Sequence, residues 1–295
     1  MKILITGGSG FLGSALAQRL AGAGHDVSLL LRPGSSLRRL DAGARKWRIG
    51  RCRSDAEITD FVATTAPDAL IHTACAYGRA GESPAQLIET NLRFGAVLLQ
   101  ALSGSAGDQP VTCIHTGSCL SAEVSPYALS KHQFADWGRM LASAPESRLQ
   151  FINLRLQHMH GPGDDRTKFV THVLHACHSN QPELALTAGE QRRDFIHVDD
   201  VLSACQTVLA RRAALAAFEH IDVGTGVAPT LRSVVETIQR LTGSHTHLNF
   251  GALPYRPQEA MLCRADISRL QGLGWQPAFD LQTGLERTIK TEFKR

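Results

Sequence analysis

The sequence predicts an α/β protein with a doubly wound parallel sheet and a smaller, interleaved C-terminal lobe. A short apolar run leads into a glycine-rich turn and a helical pattern within residues 2–24. Near-continuous apolar runs then alternate with helical stretches as far as residue 157, as is typical of parallel strands covered on both faces. Beyond that point the alternation becomes irregular, which indicates a second lobe of different construction.

The composition and charge of the chain indicate a globular protein and argue against nucleic-acid binding and membrane insertion. The 295 residues are 43% hydrophobic, which suits a large packed core. A net charge of +4 spread along the chain does not indicate nucleic-acid binding, although it would suit an anionic small ligand. The 7 cysteines form no CxxC pair, and no run approaches the ~20 apolar residues of a membrane-spanning helix. We therefore expect a reduced, cytoplasmic protein with no membrane partner.

The first elements form a strand–helix–strand unit. The strand "KILIT" leads into "GGSGFLGSALAQRLAGAG", in which Leu12, Leu16 and Leu20 share one helical stripe, and then into the strand "HDVSLLL". Later apolar runs predict three more strands, "DALIHTA" (68–74), "VTCIHT" (111–116) and "QFINLRL" (150–156). The stretch "ETNLRFGAVLLQAL" predicts a helix between the first two of these. This order indicates a parallel sheet.

Turn and cap residues mark the later elements. "HGPGDD" predicts a turn, "TKFVTHVLHACHSN" a helix, and "RDFIHVDDVLSACQTVLARR" a strand followed by a helix that Asp199 or Asp200 would cap. Thr230 and Asp280 are predicted to cap two further helices. Since no low-complexity linker separates two parts, we expect a first domain at 1–157 plus about 192–222 and a second lobe at about 158–191 plus 223–295.

Three glycines between the first strand and the first helix indicate a dinucleotide site. Glycine permits the tight turn and lets the backbone approach a pyrophosphate, whose charge the helix N-terminus favours. This is the pattern of a Rossmann fold, and a glycine-rich turn without a ligand is the alternative. The cofactor-binding candidates in the turn are Gly7, Gly10, Phe11, Leu12 and Gly13.

The end of the second strand indicates which dinucleotide binds. The strand ends in Leu31 and Arg32 with no acidic residue, and Arg38 and Arg39 follow shortly after. NAD sites usually place Asp or Glu there for the ribose hydroxyls, whereas an arginine suits the 2′-phosphate of NADP. We therefore predict NADP(H) rather than NAD, bound through Arg32 and Arg38. A solvated surface charge is the alternative for Arg32.

"SPYALSK", residues 125–131, places Tyr127 and Lys131 on the same helix face, because Ser-Pro predicts an N-cap and a first helical residue. A nearby ammonium favours the tyrosinate and lowers the pKa of the phenol, which makes it a better proton donor or acceptor. The preceding strand ends in "HTGS", where the hydroxyls of Thr116 and Ser118 would hold a substrate oxygen near the tyrosine. Both hydroxyls stay candidates for that task.

Together these motifs resemble the extended short-chain dehydrogenase/reductases, the NAD-dependent epimerase/dehydratase family of nucleotide-sugar enzymes. The likeness covers essentially the whole chain and adds two features, Asn91 in the helix after residues 68–74 and "RDFIHVDD" (193–200). It implies that Tyr127 is the acid/base and that Lys131 lowers its pKa and holds the nicotinamide ribose. The segment between the strand-end hydroxyls and Tyr127 is shorter than in many members.

The resemblance also implies further binding residues and a homodimer formed through the helices of Asn91 and Lys131. It implies that the substrate is a nucleotide-diphosphate sugar, whose phosphate oxygens guanidinium forks would suit. The additional cofactor-binding candidates are Thr73, Ala74 and Asn91. The substrate-binding candidates are Tyr77, His158, Lys168, Phe169, Arg193 and Arg256.

Within this family, four segments resemble 4-ketoreductases of the CDP-abequose synthase type: "RLQHMHGPGDDRTKF", "GEQRRDFIHVDDV", "VGTGVAPTL" and "FGALPYRPQEAML". They imply NADPH-dependent reduction of the 4-keto group of a CDP-4-keto-3,6-dideoxyhexose or a similar nucleotide-linked deoxyhexose. A 4-epimerase with tightly bound NAD and a non-catalytic NADP-binding sensor are the alternatives. The many histidines are read as ordinary ones rather than metal ligands, because no carboxylate or cysteine pattern completes a site.

Overall fold

The computed structural model describes residues 1–40, 47–105, 110–257 and 259–293, so Gln258 of the "YRPQEA" motif lies outside the described residues. Contacts divide the chain into two units, Met1–Arg155 with Cys205–Ile221, and Leu156–Ala204 with Asp222–Arg295. The sequence analysis placed residues 192–204 with the first domain, whereas their contacts lie with the second unit.

A seven-stranded sheet organises the first unit, and it confirms the predicted doubly wound α/β fold. Its strands, in chain order, are β1 (Lys2–Thr6), β2 (Asp26–Leu31), β3 (Arg48–Arg51), β4 (Ala69–His72), β5 (Val111–Ser118), β6 (Leu149–Leu156) and β11 (Phe218–Val223). They lie in the order β11-β6-β5-β4-β1-β2-β3. β1 pairs in parallel with both β2 and β4, with Ile5 opposite Leu29 and Ile71. The chain order reverses between β1 and β4, where ligands of such sheets bind at the carboxyl ends of the strands.

The helices that flank this sheet are α1 (Phe11–Gly22), α2 (Asp55–Thr65), α3 (Pro84–Ile88), α4 (Phe94–Ser105), α5 (Pro126–Ala142) and the end of α7 (Val198–Ala210). A π-helical turn, Glu89–Arg93, joins α3 to α4. Buried side chains of β4, β5, β6, α4 and α5 contribute to one core cluster, which includes Leu70, Leu98, Phe134 and Phe151. Successive residues of β4 and β5 are buried, so side chains on both faces of these strands are covered, which explains why they read as continuous apolar runs.

The sequence analysis did not predict β3 or α2. β3 has only four residues, two of them arginines, and it exists because parallel pairing places Leu29 opposite Ile49. Gly50 leaves room for the ring of Phe61 from α2, since a Cβ at Gly50 would lie 2.7 Å from that ring. These are contacts between segments, which a local pattern does not encode.

The second unit is built from short paired strands and three longer helices. Its strands are β7 (His158–His160), β8 (Glu183–Leu186), β9 (Arg192–Arg193), β10 (Phe195–His197), β12 (His247–Phe250) and β13 (Leu262–Cys263). They pair in parallel as β10–β7, β12–β8 and β13–β9. Its helices are α6 (Phe169–His178), α8 (Leu231–Thr242), α9 (Ser268–Gly272) and α10 (Leu281–Glu292), with the start of α7. Val173, Val234 and Leu285 centre its apolar core.

One buried carboxylate ties the loops of the second unit together. Asp194 is 0% exposed, and its oxygens accept hydrogen bonds from the backbone N–H groups of Thr225, Gly226 and Ala265 and from the Thr225 hydroxyl. Because each carboxylate oxygen is satisfied by donors, the buried charge is tolerated. The geometry of this loop cluster therefore rests on a residue inside the "RRDFIHV" motif.

Helix caps follow the predictions except at α7. Ser125 caps α5, Thr230 caps α8 and Asp280 caps α10, each accepting a hydrogen bond from a backbone N–H of the first turn. The predicted cap at Asp199 or Asp200 is wrong, because α7 begins at Val198 and both residues lie within its first turn. The two carboxylates have other partners: Asp200 accepts from the N–H groups of Ala278 and Phe279, and Asp199 from Arg287.

Of the helices in the described ranges, none combines the length and the apolar character required to cross a bilayer.

A buried histidine makes the stability of the first unit sensitive to acid. Both ring nitrogens of His115 in β5 are buried and have no hydrogen-bond partner among the described residues, and the ring packs against Phe134 and His72. Burial, followed by the charge of Lys131, holds the pKa of His115 well below its ordinary value. The folded chain therefore keeps this imidazole neutral.

We expect His115→Leu to flatten the loss of stability in acid. Below pH of about 6.5 the unfolded chain binds a proton at this position and the folded chain does not, so stability is lost at about 1.4 kcal/mol per pH unit. The variant lacks this contribution, and denaturant titrations at a series of pH values would show a shallower fall in the free energy of unfolding. His172→Gln, at an exposed position, is the matched control. Parallel curves for His115→Leu and wild type would contradict the assignment.

Candidate functional site

The turn between β1 and α1 has a shape that requires glycine. Gly7 has φ of +68°, in the left-handed region, and a Cβ at Gly13 would lie 2.3 Å from the carbonyl oxygen of Gly7. The Gly10 N–H donates to that same oxygen at 2.9 Å. No side chain of the described residues caps α1 at Gly10, so the N–H groups of its first turn are left for another acceptor. Such a helix N-terminus beside the carboxyl end of β1 is suited to an anionic group such as pyrophosphate.

The segment after β4 supports this turn from beside it. The Thr73 hydroxyl donates to the Thr6 carbonyl at 2.7 Å and lies 2.7 Å from where a Cβ of Gly7 or Gly13 would be. The Thr6 hydroxyl is hydrogen-bonded to His72 Nδ1 at 2.7 Å. Two cofactor-binding candidates, Thr73 and Ala74, are thus brought into contact with the turn. The side chain of Leu12 lies in the core, which leaves only its backbone for a ligand.

The carboxyl ends of β2 and β3 carry several arginines. Arg32 and Arg38 are exposed, as the sequence analysis required for a phosphate contact. Arg51 lies opposite Leu31 in the β2–β3 register and donates to the carbonyl oxygens of Arg32 and Ser35 at 3.2–3.4 Å. The sequence analysis missed Arg51, because β3 itself was not predicted. The strand-end position of Arg51 places a further guanidinium beside the backbone of Arg32.

Tyr127 and Lys131 lie one turn apart at the start of α5, as predicted. Lys131 is 2% exposed and its Nζ donates to the Thr116 carbonyl oxygen at 2.8 Å, which fixes the helix against the end of β5. The same Nζ lies 5.9 Å from the centre of the Tyr127 ring. The arrangement places a buried cation beneath a phenol at the ligand edge of the sheet.

The two candidate hydroxyls occupy different environments. Thr116 is buried, and its hydroxyl donates to the His72 carbonyl oxygen at 3.1 Å, so its hydrogen is committed within the sheet. Ser118 is the last residue of β5 and is half-buried. Within the described ranges its Oγ only accepts a hydrogen bond, from the Leu120 N–H at 3.2 Å. Of the two hydroxyls, that of Ser118 therefore has the uncommitted hydrogen within the described residues.

The pKa of Tyr127 lies in the opposite direction from the sequence-based expectation. Burial raises it well above its ordinary value, and three neighbouring groups raise it further: Cys75, Tyr77 and Cys119. Burial also lowers the pKa of the neighbouring Lys131 ammonium. The expectation failed because it counted the nearby charge without the loss of water around the phenol. Tyr127 is consequently protonated, which suits a proton donor.

Asn91 lies in the π-helical turn, and its side chain is fully engaged by the protein. Its Oδ1 accepts from the Ala76 N–H at 2.7 Å, and its Nδ2 donates to the Ala76 carbonyl and to the Ser130 hydroxyl, both at 2.9 Å. It is 1% exposed. The amide thereby clamps the loop after β4 to the helix that carries Tyr127. Single π-turns of this kind often occur at functional sites.

Aromatic rings surround His158 in the second unit. His158 pairs with Phe195 across β7 and β10, and their ring centres are 5.6 Å apart. Phe169, at the start of α6, stacks on the same Phe195 ring, with 6.2 Å between the ring centres. Burial, then the charge of Arg193, lowers the pKa of His158 to about 4. Three of the predicted substrate-binding residues, His158, Phe169 and Arg193, are thus close to one another and His158 is neutral.

The predicted cations of this unit differ in their partners. Lys168 forms an ion pair with the buried carboxylate of Asp164 at 2.9 Å, and Arg193 forms one with Glu259. Arg256 is exposed, and its carbonyl oxygen accepts from the Glu259 N–H in a single turn. Sequence analysis singled out neither Asp164 nor Glu259. The spacing of Glu259 three residues after Arg256 was the available signal.

Comparison with known proteins identifies the family. Residues 3–224 match the NAD dependent epimerase/dehydratase family. The chain belongs to this family. CDP-abequose synthase of Salmonella typhimurium (strain LT2) is 28% identical over 299 residues, which span 98% of this chain and 97% of the relative. GDP-L-fucose synthase of Escherichia coli (strain K12) is 24% identical and aligns with 98% of this chain and 95% of its own length.

Solved structures confirm the fold of this epimerase/dehydratase family member. UDP-glucose 4-epimerase of Thermus thermophilus, in complex with NAD, has a TM-score of 0.84 at 22% identity and covers 99% of both chains. UDP-glucuronic acid 4-epimerase of Bacillus cereus has a TM-score of 0.83 at 20% identity, also over 99% of both chains. The resemblance to the family, including its CDP-abequose synthase type, is confirmed.

We expect Asn91→Leu to destabilise the first unit by about 2–4 kcal/mol, because it leaves the buried N–H and carbonyl of Ala76 without partners. The free energy of unfolding from denaturant titration measures the loss. Asn249→Leu, which removes one exposed hydrogen bond to Glu183, is the control and should cost less than about 1 kcal/mol. A loss at Asn91 no greater than that of the control would show that the clamp is not structural.

Proposed function

We propose that this protein reduces the 4-keto group of a nucleotide-linked deoxyhexose with NADPH, the substrate being a CDP-4-keto-3,6-dideoxyhexose or a similar nucleotide sugar. The observation that carries the proposal is the position of Tyr127 one helical turn before the buried Lys131, whose Nζ lies 5.9 Å from the centre of the phenol ring. A net reduction requires a proton donor in that place. The similarity to CDP-abequose synthases over nearly the whole chain supports the substrate class.

The site residues would divide the reaction among them. When bound, the dihydronicotinamide supplies a hydride to the 4-keto carbon. Tyr127 donates its phenolic proton to the keto oxygen, so the carbonyl becomes a hydroxyl and the phenol becomes a tyrosinate that solvent reprotonates. Ser118 donates a hydrogen bond to the same oxygen. The Lys131 ammonium stabilises the negative charge that is left on Tyr127.

The cofactor would lie at the carboxyl ends of β1, β2 and β4. The glycine turn and the uncapped start of α1 suit its pyrophosphate, and Arg32, Arg38 and Arg51 suit the 2′-phosphate that distinguishes NADP(H) from NAD. Thr73 and Ala74, beside the turn, complete the candidate contacts. Asn91 would act by holding their loop in place rather than by contacting the cofactor, because the donors of its side chain are already engaged within the protein.

The substrate nucleotide would be held by the second unit. Arg193 and Arg256 suit a diphosphate, although Arg193 would have to share or exchange its present partner, Glu259. His158 and Phe169 offer an aromatic and neutral surface for a base or a sugar. Tyr77 is a further candidate for a substrate contact, since its ring centre lies 4.9 Å from that of Tyr127.

We also propose that the protein is a homodimer in a reducing compartment such as the cytoplasm. Leu129, Trp137 and Met140 leave an apolar stripe on the outer face of α5, each about half exposed. A second copy of the same helix would cover it with matching side chains.

The free thiols of all 7 cysteines suit a reducing compartment.

A nucleotide-sugar 4-epimerase with tightly bound NAD is the second candidate. The specific observation in its favour is that solved structures with the same fold include 4-epimerases in complex with NAD. Cofactor content separates the two functions. An epimerase would be purified with NAD and would consume no NADPH, whereas the proposed reductase would oxidise NADPH in proportion to product.

We expect Tyr127→Phe to lower turnover by about 10²–10⁴-fold, because the ring stays in place and only the transferable proton is lost. NADPH binding should persist. The measurement is NADPH oxidation with a panel of CDP-, dTDP-, UDP- and GDP-linked 4-keto sugars, with the stereochemistry of the product determined. Tyr255→Phe is the matched control and should retain wild-type turnover. Undiminished turnover in Tyr127→Phe would exclude this residue as the acid.

We expect Arg32→Asp to weaken NADPH binding about tenfold or more while NADH binding changes little, because one charge-assisted hydrogen bond to phosphate contributes about 1.5–3 kcal/mol. Titration of each dinucleotide by calorimetry gives both dissociation constants. Arg211→Asp makes the same change of charge at the end of α7, away from the proposed phosphate site, and is the control. An equal loss for NADPH and NADH would remove Arg32 from the 2′-phosphate site.

A further inference from the structure

The loop between β4 and α3 carries an exposed arginine toward the site. Its backbone is in the left-handed region at Gly78 and Gly81, with φ of +73° and +83°, on either side of Arg79. At its base, Ala76 is held by both the N–H and the carbonyl bonds to Asn91. The loop is therefore anchored to the same residue that bonds Ser130 on α5, and its path is set by the two glycines.

Three side chains form a stack that starts on this loop and ends at the proposed acid. The guanidinium carbon of Arg79 lies 5.6 Å from the centre of the Tyr77 ring, within the range of a cation–π interaction. The Tyr77 ring centre lies 4.9 Å from that of Tyr127, with 33° between the ring planes. Tyr77 is thus close to both the guanidinium of Arg79 and the ring of Tyr127.

The charge of Arg79 is not neutralised by an acidic partner within the part of the chain that the structure describes. The acidic side chain nearest in sequence, Glu82, accepts instead from the Ala80 N–H at 2.9 Å. Arg79 is exposed. Lys131, a second cation near Tyr127, is buried and donates a hydrogen bond to the Thr116 carbonyl oxygen.

We propose that Arg79 is a positioning residue for Tyr127: seated on the ring of Tyr77, its guanidinium stabilises the tyrosinate that remains when the phenolic proton is transferred. This inference rests on the proposed function, in which Tyr127 is the acid. Arg79 itself touches neither proton nor keto oxygen. It acts through the electric field at the Tyr127 oxygen, to which Lys131 also contributes.

Several other groups around Tyr127 disfavour its ionised form. Burial and three neutral acids raise its pKa, and Arg79 is the group that lowers it. The groups that face the phenol are Cys75, Tyr77 and Arg79 from the β4–α3 loop, Cys119 from the β5–α5 loop, and Lys131 from α5. Burial and the neutral neighbours make this phenol a weak acid. The guanidinium of Arg79 favours the tyrosinate and therefore makes the phenol a stronger proton donor.

The test measures the ionisation of Tyr127 directly. Because the chain has only 3 tyrosines, labelling the full-length protein with 3-fluorotyrosine gives three ¹⁹F NMR signals, and Tyr127→Phe assigns one of them. Fluorine makes the phenol more acidic, so the transition falls at a lower pH than in the unlabelled protein. Circular dichroism over the same pH range shows that the chain remains folded.

We expect Arg79→Met to raise the ionisation midpoint of residue 127 by about half a pH unit at low salt, as a unit charge in a solvated setting does. Arg79→Lys should restore most of the shift, because it returns the charge to the loop. Added salt should shrink the difference between wild type and Arg79→Met. Arg211→Met, which removes an exposed arginine before β11, is the control and should leave the midpoint unchanged. A wild-type midpoint in Arg79→Met would overturn the proposal.

Activity gives the second measurement. In the reductase assay, the alkaline fall in turnover should move upward in Arg79→Met by the shift seen in the NMR titration, while Arg79→Lys follows wild type. A lower turnover with an unmoved pH profile would mean that Arg79 has a merely structural role and would overturn the proposal. The two hypotheses fail separately. A shifted midpoint without turnover on any 4-keto sugar would support the role of Arg79 and sink the reductase, whereas turnover with an unshifted midpoint would do the reverse.

Discussion

One buried amide, that of Asn91, joins the parts of the first unit on which the site depends. It bonds both backbone groups of Ala76 and the hydroxyl of Ser130, so the loop after β4 and the helix α5 are held at a fixed distance. The glycine turn packs against the same loop at Thr73. The tyrosine, the lysine and the proposed pyrophosphate site are therefore built around one side chain with no free donor.

Burial, rather than the nearest charge, governs the chemistry at Tyr127. Lys131 is close to the ring but directs its ammonium at the Thr116 carbonyl, and its own charged form is disfavoured by burial. Loss of water around the phenol therefore prevails and keeps its proton in place. In the resting site Tyr127 therefore holds a proton that it can donate to an oxygen. Charges that lower its pKa must come from exposed residues such as Arg79 or from a bound ligand.

Particular elements show how far the sequence could predict the structure. The glycine turn, the Ser125 cap and the caps at Thr230 and Asp280 were predictable because each depends on residues within a few positions of one another. β3 and the cap of α7 were not. β3 is stabilised by pairing with β2 and by the Phe61 ring, and Asp200 bonds backbone groups 78 and 79 positions away. Arg51 was missed for the same reason.

The sequence by itself determined the family, the order of the first βαβ units and the set of side chains at the site, because local spacing and side-chain chemistry are written in the chain. Only the tertiary structure decided how those side chains are used. It committed the Thr116 hydroxyl to the His72 carbonyl and left Ser118 half-buried, it paired Arg193 with Glu259, and it placed Arg79 on Tyr77. Those outcomes depend on burial and on hydrogen bonds between distant segments, and neither can be read from the spacing of residues.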